Sequence, residues 1–160
     1  MKTVFAQRCY LSNVYASYAA LGAIAGFMWW AQGPVAALFV AMVGGVALYA
    51  YVAAFPSLSR FLGYGSVDDR ASVTALRAAA VVRLSTAVGC PFCPIVRRRL
   101  KALQTRLGFR LEEIDITLRP DTLLKRGIRA VPVVEVGERV RIGHATSDEL
   151  TALIAGRSTP

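Results

Sequence analysis

Two cysteines three positions apart, Cys90 and Cys93, are the residues whose type and spacing most directly suggest chemistry. They stand in GCPFCPIVRRRL (89–100), after a β-branched run and before a helical pattern. At a helix start, unpaired N–H groups and the helix dipole stabilise a thiolate, so a lowered pKa is expected for Cys90. Side chains at i and i+3 are close enough to form a disulfide. The pair is predicted to perform thiol–disulfide exchange, with Cys90 as nucleophile and Cys93 as resolving thiol.

Binding of a soft metal ion is the main alternative for this pair. A closed zinc site needs four ligands, and only Cys9 and His144 remain as candidates that are not carboxylates. Nothing in the sequence brings Cys9 to the pair, although two thiolates alone suffice for an ion such as Cu(I) or mercury. No resident metal is therefore predicted.

The other two candidates have simpler interpretations. His144 is the only histidine, and its place before the last helix predicts an exposed turn residue. Cys9 is expected to be a small apolar residue at a membrane edge. A functional Cys9 would be acylated or would take a disulfide from Cys93.

The first third of the chain predicts a pair of membrane helices. No charged residue occurs from Cys9 to Ser59, a stretch long enough for two spans of about 20 residues each. Gly33 and Pro34 give a turn signal that divides it. Residues 1–55 are thus predicted to form a transmembrane helical hairpin, with spans at about 10–31 and 34–55.

The distribution of positive charge predicts the orientation of the hairpin. Lys2 and Arg8 precede the first span, Arg60 and Arg70 follow the second, and the connecting loop has no basic residue. Positively charged flanks stay on the cytoplasmic side. Both termini and the C-terminal domain are therefore predicted to be cytoplasmic. A cleaved signal peptide is the alternative, and it leaves the C-terminal domain on the same side.

Small residues suggest how the hairpin packs. Gly22 and Gly26 form a small-xxx-small face, and Gly44 and Gly45 offer a matching surface on the second helix. Such faces allow close approach of helices in a bilayer. The partners predicted for the hairpin are therefore lipid, another membrane protein or a second copy of the chain.

Residues 56–80 are predicted to be an interfacial linker, and residues 81–160 a separate α/β domain. The linker combines apolar residues at helical spacing with glycines and a capping signal at Ser66. The domain pattern is β-α-β-α-β-β-α: strands at 81–86 and 110–117, helices at 93–107, 120–127 and 146–156, and a hairpin of 131–136 with 139–143.

This order, with Cys-Pro-Phe-Cys after the first strand and Val131-Pro132 opening the third, resembles a glutaredoxin within the thioredoxin fold. The resemblance covers about residues 80–157. It implies that Pro132 is a cis-proline and that Val131 offers its backbone N–H and C=O to a bound peptide or glutathione. It also implies a substrate surface completed by Pro91, Phe92 and Arg97, with glutathione as co-substrate and no bound cofactor.

One segment departs from the glutaredoxin pattern. Many glutaredoxins have a Gly-Gly pair followed closely by an acidic residue that holds glutathione, whereas this chain has Gly143 alone and a longer connection to Asp148. The spacing between Gly143 and Asp148 is more similar to the corresponding spacing in thioredoxins. Pro91 also disfavours the iron–sulfur cluster that some glutaredoxins bridge with glutathione.

The net charge of +9 is interpreted as an adaptation to nearby anionic lipid and not to nucleic acid. The sequence contains a predicted membrane segment and no nucleic-acid-binding motif. The sequence therefore predicts a membrane-tethered, cytoplasmic reductant of protein or glutathione mixed disulfides. A redox-domain subunit or adaptor of a larger membrane complex is the second hypothesis.

Overall fold

The computed structural model describes residues 8–58 and 81–156. Most of the predicted interfacial linker, from residue 59 to 80, lies outside the described residues, as do both ends of the chain.

Two long helices follow the N-terminus. Helix α1 spans Leu11–Gln32 and helix α2 spans Pro34–Leu58. Gly33 turns the chain between them with φ of 91°, and its N–H bonds to the carbonyl of Trp29 at 3.0 Å. Both helices are long and apolar enough to cross a bilayer, and most of their side chains are exposed. Helix α2 continues through Pro56, past the predicted end at residue 55.

The contact between α1 and α2 differs from the predicted match of glycine faces. Gly44 packs directly against the Leu21 side chain, whereas Gly22, Gly26 and Gly45 have open space around them. Among these four glycines, only Gly44 is therefore in close contact with the other helix of the hairpin.

The C-terminal part contains a four-stranded mixed sheet. Its strands are β2 (Val81–Thr86), β3 (Arg110–Asp115), β5 (Val133–Val136) and β6 (Arg139–Ile142). The order is β3-β2-β5-β6, with β2 parallel to β3 and every other pairing antiparallel. The parallel pair needs a crossover, and the helical segment between β2 and β3 supplies it.

The predicted order of elements from residue 81 is observed. Helices α3 (Cys93–Leu107), α4 (Asp121–Leu124) and α5 (Ser147–Ala155) alternate with the strands. Thr146 and Glu149 form the predicted capping box at the start of α5. One core lies where the leucine and valine stripe of α3 and the buried face of α5 meet β2 and β5.

Two short strands were not predicted. Strand β1 (Cys9–Tyr10) pairs antiparallel with β4 (Ala130–Val131), and the N–H of Leu11 bonds to the carbonyl of Arg129 at 3.0 Å. Strand β4 is separated from β5 by Pro132, so the single strand predicted over 131–136 is interrupted there. The β1–β4 pairing attaches the start of the hairpin to the C-terminal domain.

Candidate active site

Cys90 and Cys93 lie at the junction between β2 and α3. Gly89 has φ of 89°, Cys90 follows it in the turn, and Cys93 is the first residue of α3. Both thiols are buried, with exposed fractions of 1% and 5%. Cys90 therefore precedes the helix instead of standing in its first turn.

A third thiol stands beside this pair. The register of β1 on β4 places Cys9 opposite Val131, and Cys9 packs against the buried apolar cluster that contains Cys90 and Cys93. All three cysteines are in the thiol form. The expectation that Cys9 lies apart from the pair is thus wrong, because β1 brings it across the domain.

The pKa of the Cys90 thiol is raised, against the sequence prediction. Burial is the largest cause; the interaction with the Cys9 thiol lowers the pKa, and the interaction with Cys93 raises it. The interaction with Cys90 raises the pKa of Cys9, and burial adds to this effect. In this arrangement Cys90 rests as a protonated thiol.

Arg97 does not supply uncompensated positive charge to Cys90. Its Nε lies 2.7 Å from Glu113 Oε2, and Lys101 Nζ lies 3.3 Å from the other oxygen of the same carboxylate. The Arg97 side chain is exposed on α3, so its charge is both paired and solvated.

The peptide bond between Val131 and Pro132 is cis, as the resemblance implied. The Cys90 Sγ lies 3.9 Å from the Val131 carbonyl oxygen, and both Val131 and Pro132 are fully buried. The Pro132 carbonyl accepts a hydrogen bond from the N–H of Gly143 at 2.8 Å. The backbone edge of Val131 is occupied by Cys9 of β1.

His144 is buried, with 8% of its surface exposed, so the prediction of an exposed turn residue is wrong. Its Nε2 lies 2.7 Å from Nη1 of Arg99, which also donates to the carbonyl of Ala145 at 2.7 Å. A guanidinium only donates, so Nε2 accepts and the ring is neutral with its proton on Nδ1. His144 thereby ties the segment before α5 to the fully buried Arg99 of α3.

The hairpin packs against the turn that carries the cysteines. The rings of Phe55 and Phe92 meet edge to face with centroids 5.4 Å apart, and Phe92 also faces His144 at 6.2 Å. On α1, the Tyr15 hydroxyl donates to the carbonyl of Thr117 at 2.8 Å. Both helices of the hairpin thus contact the candidate site.

A cleft of about 430 Å³ opens between the hairpin and the cysteine turn. Cys90 and Cys93 line it on one side, and Leu48 and Val52 of α2 line it on the other. Its wall is mainly apolar, with Arg97 among the few charged groups. The cleft gives a small or extended substrate a route to the thiols beside the hairpin.

Within residues 8–58 and 81–156, no group of three or more His, Cys, Asp or Glu side chains is arranged to hold a metal ion. The hypothesis of soft-metal binding therefore depends on two thiols alone.

The comparisons support a glutaredoxin-like class for the C-terminal part of the chain. Residues 82–154, slightly less than half of the chain, match the family model described as Glutaredoxin-like domain (DUF836). No curated protein sequence matches the chain. Residues 82–154 are therefore similar to a glutaredoxin-like domain, and this similarity suggests a thiol redox role.

Sequence reasoning singled out Cys90, Cys93, Val131 and Pro132, which the structure brings together, but it did not connect Cys9 with them. The available signal was that Cys9, one of only three cysteines, stands directly before the first apolar helix. A two-residue strand has too little periodicity to reveal its pairing partner.

Proposed function

We propose that this protein is a thiol–disulfide oxidoreductase in which Cys90 attacks a disulfide and Cys93 resolves the resulting mixed disulfide. The observation that carries the proposal is that Cys90 and Cys93 share one buried cluster at the start of α3, with Cys90 Sγ 3.9 Å from the Val131 carbonyl oxygen. The match of this segment to a glutaredoxin-like domain supports the same chemistry.

The reaction proceeds by two exchanges. The Cys90 thiolate attacks one sulfur of a substrate disulfide, forms a mixed disulfide, and releases the other sulfur as a thiolate that takes a proton from solvent. The Cys93 thiolate then attacks the Cys90 sulfur and releases the second substrate thiol. The substrate disulfide is reduced, and the Cys90–Cys93 pair is oxidised. Two molecules of glutathione are the proposed reductant that restores the dithiol.

The proposed substrate surface comprises Pro91, Phe92, Val131 and Pro132, with Arg97 at its margin. Pro91 and Phe92 are half-buried beside the thiols, so a substrate can contact them without unfolding the domain. Arg97 is already paired with Glu113, so it would contribute to a glutathione carboxylate only by exchanging partners. We therefore assign binding chiefly to the turn around Phe92, and to the backbone of Val131 once β1 is displaced from it.

The hairpin is proposed to span the membrane, with both termini and the redox domain in the cytoplasm. Helix α1 has 22 residues and is therefore about 33 Å long, close to the thickness of a bilayer core. Its contacts to the domain come from its first two turns, through Leu11, Val14, Tyr15 and Tyr18. A spanning hairpin would thus hold the domain against the headgroup layer, which favours a membrane-bound or membrane-proximal client.

Turnover by the full chain in detergent or nanodiscs tests the proposal. Glutathione-dependent reduction of a glutathionylated peptide is expected for the wild type and for the matched control Thr105→Ala, an exposed site on α3. Cys90→Ser should reduce the rate to that of the uncatalysed reaction. Cys93→Ser should retain part of the wild-type rate, because glutathione can replace the resolving thiol. Turnover that is independent of Cys90 would contradict the proposal. An absence of turnover in the wild type would also contradict it and would favour an adaptor role.

A further inference from the structure

Strand β1 occupies the backbone edge at which the domain would otherwise receive a substrate. Cys9 stands opposite Val131 in an antiparallel pairing, and Tyr10 stands opposite Ala130. Alternate residues of a strand point to opposite faces. Accordingly, Tyr10 is 45% exposed, whereas Cys9 is turned inward to the Cys90 thiol.

The Cys90 sulfur has two possible disulfide partners. Cys90 and Cys93 share one buried apolar cluster, and Cys9 packs against that cluster. Cys9 stands opposite Val131, whose carbonyl oxygen lies 3.9 Å from Cys90 Sγ. Cys9 is therefore one member of a cluster of three thiols. Since exchange requires only that a thiolate reach a disulfide sulfur, either neighbour can attack a disulfide formed at Cys90.

Burial of Cys90 is a further consequence of this arrangement. Cys90 is 1% exposed, and Cys9 and Leu11 belong to the same apolar cluster as the two active-site cysteines. The residues that cover Cys90 thus include the one that carries the third sulfur. A substrate entering at Val131 must displace β1 and Cys9 together.

We propose that Cys9 is a third redox thiol that resolves mixed disulfides at Cys90 by forming a Cys9–Cys90 disulfide. This inference rests on the proposed function, because it requires that Cys90 accept a disulfide from a substrate. In this arrangement β1 occupies the place that the backbone of a bound substrate would otherwise take beside β4.

The step is balanced without an additional oxidant. When Cys90 carries a substrate sulfur, the Cys9 thiolate attacks the Cys90 sulfur and forms the Cys9–Cys90 bond. The bond between Cys90 and the substrate breaks, and the substrate leaves as a thiolate that takes a proton. Cys9 is oxidised and the substrate sulfur is reduced. Cys93 then attacks Cys90, forms the Cys90–Cys93 disulfide and releases Cys9 as a thiol.

This exchange connects the redox state to the hairpin. Cys9 is separated from α1 only by Tyr10, so a Cys9–Cys90 disulfide fixes the start of α1 to the active-site turn. Formation of the Cys90–Cys93 disulfide frees Cys9, which the pairing of β1 and apolar packing then retain without a covalent bond. The two disulfides therefore correspond to a covalent and a non-covalent attachment of the start of α1.

The test uses the full-length Cys93→Ser variant treated with oxidised glutathione. Mass spectrometry of the intact protein and of its peptides is expected to show a Cys9–Cys90 disulfide and little glutathione on Cys90. The matched control is Cys9→Ser combined with Cys93→Ser, which should accumulate glutathione on Cys90 in at least tenfold greater proportion. Serine is close to cysteine in size, so both variants preserve the packing.

Wild-type protein supplies a second measurement that needs no substitution. Partial oxidation by oxidised glutathione, followed by acid quenching, is expected to give Cys9–Cys90 peptides beside Cys90–Cys93 peptides. Stable glutathione on Cys90 in the Cys93→Ser variant, together with an absence of Cys9–Cys90 peptides from the wild type, would overturn the inference but leave the proposed function intact. Failure of Cys90 to take up glutathione even in the double variant would overturn both.

Discussion

Cys90 combines a position typical of a nucleophile with a resting state that suppresses its reactivity. Burial raises its pKa, and the interaction with the Cys9 thiol offsets only part of this effect. Because a thiol with a raised pKa is mostly protonated at neutral pH, its thiolate fraction keeps growing beyond the ordinary thiol pKa of about 8.5.

Alkylation of Cys90 by iodoacetamide in the folded protein should therefore rise about tenfold per pH unit from pH 7 to 9, without levelling near 8.5. Peptide mass spectrometry after timed quenching measures this rate. In denaturant the alkylation rate of the same residue should stop rising near pH 8.5, which provides the control. A folded-state rate that is already constant below pH 7 would mean a lowered pKa and would contradict the geometry described for Cys9 and Cys90.

At the residue scale, the sequence predicted the groups whose roles depend on local spacing. Cys90 and Cys93 are defined by their positions between a strand and a helix, and Val131–Pro132 by its position before the next strand. Cys9 and His144 were misjudged because their environments come from contacts across the domain. The partner of His144 is a buried arginine on another element, which no local pattern indicates.

Helix α3 and the segment before α5 are joined by the contact of Arg99 with His144. Replacing His144 by Ala removes a buried acceptor from a charged donor, so we expect the free energy of unfolding to fall by about 1–3 kcal/mol. Urea unfolding of the full chain in detergent measures the change. His144→Gln, which can place a carbonyl oxygen near Arg99, should recover part of the loss, while the exposed Glu138→Ala should change little. If all three variants had the same free energy of unfolding as the wild type, the contact between Arg99 and His144 would not contribute to stability.

The turn at Gly89 tests the packing of α1 against the domain. Gly89 has positive φ, and a Cβ there would lie 3.2 Å from the Tyr18 hydroxyl. Gly127 also has positive φ but nothing within 4 Å, so Gly127→Ala provides the matched control. Each alanine should cost about 1–2 kcal/mol for its backbone conformation.

Gly89→Ala should additionally loosen the hairpin, which we expect to appear as faster proteolysis between hairpin and domain than in Gly127→Ala. Identical proteolysis of the two variants would argue against a contact between Tyr18 and this turn in solution.

Elements with strong periodicity were predicted with correct boundaries. The strand at Val81–Thr86 and the helix at Cys93–Leu107 follow from β-branching and from a leucine stripe. The short strands β1 and β4 were not predicted, because their formation depends on one N–H···O bond and on the register of their pairing. The predicted end of the second span at residue 55 was also too early, because the helix continues through Pro56, which lies in its last turn.

At the scale of the whole molecule, a long uncharged segment predicted the hairpin, but nothing in it predicted that the hairpin would cover the thiols. Helices α1 and α2 meet the domain at the ends remote from their connecting turn. This arrangement places Gln32 and Gly33 at the far side of any membrane that the hairpin crosses.

Accessibility to a membrane-impermeant maleimide tests this topology in intact cells. With the three native cysteines replaced by serine, Gln32→Cys should be labelled from outside. Thr105→Cys, which lies on the exposed surface of α3, should be labelled only after permeabilisation. Labelling of both positions before permeabilisation, or of neither, would contradict a spanning hairpin with a cytoplasmic redox domain.

The most direct test of thiol–disulfide exchange at this site is equilibration of full-length wild-type protein with glutathione redox buffers, followed by acid quenching and mapping of the disulfides. A disulfide at Cys90 is expected to form in the oxidising buffers and to disappear reversibly in the reducing ones, with Cys93 as its principal partner at equilibrium. Cysteines that remain thiols across the whole range, or a disulfide that excludes Cys90, would contradict the assignment of thiol–disulfide exchange to this site.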